Sequence, residues 1–83
     1  MEFVKNRMDI MFKGISDDQP IALMGVISIT SFPDNKSFDL NDFYLEADKT
    51  YKIIYKGANE LENDLSKVFL MNSNDVLYIE FTI

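Results

Sequence analysis

Hydrophobic and polar residues alternate along most of this chain, and a period of two predicts strands rather than helices. Residues 21–32, IALMGVISITSF, carry no charge and several β-branched side chains, as expected of a strand in the middle of a sheet. Alternate positions put Ile21, Leu23, Ile27 and Ile29 on one face, with Gly25 among them, and Ala22, Met24, Val26, Ser28 and Thr30 on the other. At about 3.3 Å per residue this run would extend roughly 40 Å, well beyond a usual strand. A bend is expected, with Gly25 at the corner, because a glycine inside a strand marks a bulge or sharp turn. One bent strand can then serve two sheets.

Upstream, two periods compete. Val4, Met8, Met11, Phe12 and Ile15 recur at helical spacing, whereas Met8, Ile10 and Phe12 alternate with Asp9, Met11 and Lys13. The alternation is preferred, which makes residues 1–15 a strand joined to the central one by the polar loop 16–20. Downstream, residues 33–37 (PDNKS) read as a turn. Residues 38–46 (FDLNDFYLE) mix aromatics and acids without clean alternation: Phe38, Leu40 and Tyr44 share one parity, Phe43 and Leu45 the other. A bulge near Asn41 and Asp42, or a strand starting only at Phe43, accounts for the switch.

Residues 50–56 (TYKIIYK) are a clean alternating strand, with Tyr51, Ile53 and Tyr55 inward and a lysine face toward water. After Gly57, Asn59 and Glu62 have capping-box spacing, and Ala58, Leu61, Leu65 and Val68 share one helical face. One short helix is expected over about 60–67. A strand at 68–71, a turn at 72–75 and a last strand at 76–83 follow, the last with Leu77, Ile79, Phe81 and Ile83 inward and Tyr78, Glu80 and Thr82 outward. The expected fold is therefore α+β: a single domain over 1–83, built as a strongly bent antiparallel sheet or small barrel of five to six strands with one short helix. An all-β sandwich is the alternative if residues 58–67 form only a loop.

Composition narrows the function classes. At 83 residues and 47% apolar content there is room for one core, so stability is expected to be modest and a second copy could add burial. The absence of cysteine excludes disulfides and thiolate metal sites. No apolar run reaches the roughly 20 residues of a membrane-spanning helix, and the charged start of the chain does not resemble a signal peptide, so a cytoplasmic location is expected. A net charge of −6 with one arginine, Arg7, argues against direct binding to nucleic acid or anionic membranes.

Histidine is absent as well, which removes the commonest general base and the commonest transition-metal ligand. With glycines only at 14, 25 and 57, no glycine-rich phosphate loop can form. Residues 34–46 are rich in oxygen ligands but lack the spacing and central glycine of a calcium loop. Neither enzymatic activity nor a cofactor or metal is expected. Instead, an acidic and aromatic surface made of Asp39, Asp42, Tyr44, Glu46 and Asp48, with the outward Tyr78, is the candidate partner-binding site. The leading expectation is a non-enzymatic interaction module, an acidic adaptor or inhibitor of another protein, to which a basic partner surface would be complementary. The alternatives are a subunit that self-associates through sheet edges and a nucleic-acid mimic that blocks a DNA- or RNA-handling protein.

Overall fold

The computed structural model describes residues 6–14, 19–57 and 66–82. They form seven strands: β1 (Arg7–Phe12), β2 (Ile21–Leu23), β3 (Val26–Phe32), β4 (Lys36–Phe38), β5 (Thr50–Tyr55), β6 (Lys67–Asn72) and β7 (Val76–Thr82). Short 3₁₀ turns lie at Leu40–Asp42 and Ser73–Asp75. All pairings are antiparallel, in a three-stranded sheet ordered β2-β1-β7 and a four-stranded sheet ordered β4-β3-β5-β6. The expected antiparallel, β-rich fold is observed as two sheets of seven strands in all, rather than one bent sheet or a closed barrel of five to six, with no α-helix among the described residues. The helix expected over 60–67 falls largely outside those residues, and Lys67 already belongs to β6.

The long apolar run bends where glycine permits. Gly25 has φ +68°, and the chain leaves β2 in one sheet to enter β3 in the other. Backbone bonds fasten this corner: the Lys56 amide donates to the Gly25 carbonyl at 3.0 Å, and the Gly57 amide to that of Met24 at 2.9 Å. The Val26 amide donates to the Asn6 carbonyl at 3.0 Å. A second crossing between the sheets runs through the turn Ser73–Asp75.

One core lies between the sheets. Met8 and Ile10 come from the first and Ile29, Tyr51, Ile53 and Met71 from the second, joined by Leu23, Val26 and Val76. In the four-stranded sheet the register lines Phe38, Ile29, Ile53 and Phe69 into one inward rung. Overall dimensions of 37 × 32 × 20 Å suit two layers about 10 Å apart.

Bulges correct two facing expectations. In β3 the pairing with β5 skips Ile27, which is 46% exposed while Val26 and Ile29 are buried. In β7 the pairing with β1 skips Leu77, so Val76 takes the inward position and Leu77 is 62% exposed. An extra residue in one strand reverses the parity beyond it. The strand expected in residues 1–15 is present as β1. Within residues 38–46 the parity switch is made by the 3₁₀ turn, and no strand starts at Phe43.

Candidate functional site: a seam beside strand β7

Between β4 and β5 the chain runs through the turn Leu40–Asp42 and then residues 43–46, which lie against the aromatic end of the four-stranded sheet. Asp39 starts the turn, its carboxylate accepting the Asn41 amide at 3.0 Å. Phe43 meets Phe38 and Tyr51 edge-on, with centroids 5.4 Å and 5.7 Å away. Tyr44 meets Phe38 edge-on at 5.3 Å and remains half exposed. The Tyr51 ring is fully buried, and its hydroxyl accepts the Glu46 amide at 2.8 Å, which fastens the crossing segment from below.

Two lysines complete this framework. The Lys36 ammonium donates to the Tyr44 hydroxyl at 2.8 Å and sits 4.9 Å and 5.0 Å from the ring centres of Phe38 and Tyr44. The bond to the phenol oxygen raises its pKa above the usual lysine value. Lys49 bridges Asp34 at 2.8 Å and Glu46 at 3.3 Å. Asp34 also accepts the hydroxyl of the buried Ser31 at 2.8 Å. Donation from Lys49, then Ser31, holds Asp34 below the usual carboxylate value, and Asp34 in turn raises Lys49.

At its far end the segment docks on the second crossing between the sheets. Asp48, at φ +63°, donates its amide to the Asn74 side chain at 3.1 Å and accepts from it at 2.8 Å. Ser73 and Lys49 also exchange hydrogen bonds, at 2.8 Å and 3.1 Å.

The expected site residues therefore divide. Asp39, Asp42, Tyr44, Glu46 and Asp48 share the crossing segment, but Asp39, Glu46 and Asp48 have intramolecular partners. Asp42 is exposed, and among the described residues no hydrogen bond or ion pair engages its carboxylate. Tyr78 lies on the outer face of the other sheet, opposite Met11, and is not part of this cluster.

What the alternation pattern assigns wholly to the core is partly a recess. Ile79 and Phe81 of β7 and residues Phe43, Tyr44 and Leu45 line an apolar pocket of about 260 Å³ where the crossing segment meets the three-stranded sheet. This is smaller than the roughly 300–1,000 Å³ of small-molecule sites and suits one or two apolar side chains. Alongside it, β7 pairs with β1 on one side and, among the described residues, has no strand on the other. Among the described residues no group of three or more acidic side chains converges as metal ligands would. Nor is any helix among them long and apolar enough to cross a membrane. No family model matches the chain, and no curated protein or solved structure matches it either.

Proposed function

We propose that this chain is a non-catalytic protein-interaction module, an adaptor or inhibitor that takes an extended segment of another protein along the open side of β7. The observation that carries the reading is the apolar seam of Phe43, Leu45, Ile79 and Phe81 beside a strand edge that no other described strand pairs with. A strand added there gains main-chain hydrogen bonds from the edge, and every second side chain points toward the seam. Tyr44 supplies a half-exposed aromatic anchor, already held by Phe38 and Lys36. Asp42 and Glu80 add exposed carboxylates on the segment and on the strand, which favours basic residues in the partner. The roles of Asp39 and Asp48 in turns favour a structural use of those acids over a phosphate-like array.

A displayed library of random nine-residue peptides, selected on the purified chain, tests this. Selected peptides are expected to alternate apolar residues with Lys or Arg and to bind more weakly as salt rises. Tyr44→Ala should weaken binding about tenfold and Asp42→Asn a few-fold. Failure to enrich any such pattern, or affinities indifferent to both substitutions, would refute the reading.

A further inference from the structure

We propose that a second copy of this chain pairs with the outer edge of β6, joining two four-stranded sheets into one continuous sheet across a two-fold axis. Among the described strands, the four at sheet edges differ in how well they resist pairing. Strands β2 and β4 have three residues each, too short for a stable added ladder, and β7 carries Glu80, which repels a second copy of this acidic chain while favouring a basic peptide. Strand β6 has neither feature. Its register with β5 is unbroken from Lys67 to Asn72, and it contains no proline and no acid.

Two of its three outward side chains are apolar: Val68 is 56% and Leu70 63% exposed, opposite Ile54 and Lys52 of β5, with Asn72 at the end of the row. Electrostatics selects the occupant. Two chains of charge −6 repel, so copies can meet closely only where carboxylates are absent. Strands β5 and β6 contain no Asp or Glu, only Lys52 and Lys67 as charges. The sequence of β6 is also compatible with its own reversal. Antiparallel copies centred on Phe69 set Val68 against Leu70 of the second copy on the outer face, and Lys67 against Met71. No like charges are opposed in that register.

Sedimentation velocity from about 1 μM to 1 mM, at low and high salt, tests the assignment on the unmodified chain, Leu70→Lys and Leu77→Lys. Both leucines are at least 62% exposed, so neither change should disturb folding, which equal melting temperatures at the lowest concentration would verify. The expected result is a monomer–dimer equilibrium with Kd on the order of 1–100 μM, in keeping with a short edge. It should tighten as salt screens the net charge, the opposite of the basic-peptide complex. Leu70→Lys should weaken it at least about tenfold, since the axis counts each change twice, and Leu77→Lys should leave it unchanged. A monomer throughout the series overturns the proposal, as does a dimer that survives Leu70→Lys or is lost with Leu77→Lys.

Discussion

Replacing Gly25 with alanine isolates the energetic cost of the corner between the sheets. At φ +68° an L-residue meets its own backbone at about 1–2 kcal/mol. Alanine also narrows the unfolded ensemble, which returns about 0.4–1 kcal/mol. The position adds a second cost, because a Cβ built there would lie 3.3 Å from the Cβ of Lys56, whose own amide bonds the Gly25 carbonyl. Moving that neighbour by a few tenths of an ångström strains the corner, and about 1 kcal/mol is reasonable, the low end of overpacking costs. Gly14 provides the control: its φ is +77°, but nothing lies within 4 Å of the corresponding Cβ. Gly25→Ala should therefore cost about 2 kcal/mol and Gly14→Ala about 1 kcal/mol or less. With a urea slope of about 1 kcal/mol/M for a chain of this size, the midpoints should fall by about 2 M and at most about 1 M. Equal costs at the two glycines, or a change below about 0.5 kcal/mol at Gly25, would refute the assigned contact.

Two further perturbations address the framework beneath the seam. Tyr51→Phe removes the acceptor of the Glu46 amide without changing the ring, so it should cost about 1–2 kcal/mol and lower the melting temperature by roughly 4–16 °C. Hydrogen exchange at the Glu46 amide should accelerate, and unchanged protection would show that the hydroxyl does not hold the segment. The Asp34–Lys49 pair should make stability depend on pH at both extremes. Because Asp34 titrates below its usual 3.8, its contribution is present above that value and lost as pH falls through the lowered folded value. Lys49 titrates above its usual 10.5, so its contribution is present below that value and lost as pH rises through the raised one. Melting curves of the unmodified chain and Lys49→Met should differ near neutrality and converge in strong acid and strong alkali; a constant offset across pH would count against the pair.

The parts of the fold readable from the chain were those in which one local rule decides. Residues 50–55 alternate without interruption, and the expected inward residues Tyr51 and Ile53 are fully buried. Gly25 stands out because glycine alone enters the left-handed region at no steric cost inside an apolar run. The bulges at Ile27 and Leu77 left no mark, since an inserted residue in a run of hydrophobic side chains preserves composition while reversing what faces inward. Of the candidate site, exposure was legible in part and the lining was not. Tyr44 and Asp42 are exposed on the segment singled out for its acids and aromatics, but Tyr78 belongs to the outer face of the other sheet. Ile79 and Phe81 alternate as core residues do, and nothing local signals that part of their surface lines a recess. Lys36 and Lys49 were also missed as organisers of the segment, because their partners depend on how the turns fold back.

The strand order also divides the chain in time. Strands β3 to β6 lie in one continuous stretch, residues 26–72, and among the described strands their ladders are formed with one another. Strand β1, by contrast, lies between β2 and β7, so the three-stranded sheet requires residues from opposite ends of the described chain. As synthesis proceeds from the N-terminus, the four-stranded sheet can assemble while β1 still lacks one neighbour, and the core closes only when β7 arrives. Until β7 pairs, the inner faces of Ile29, Tyr51 and Ile53 have only β1 and β2 to cover them, and the strand farthest along the described chain completes the core with Val76.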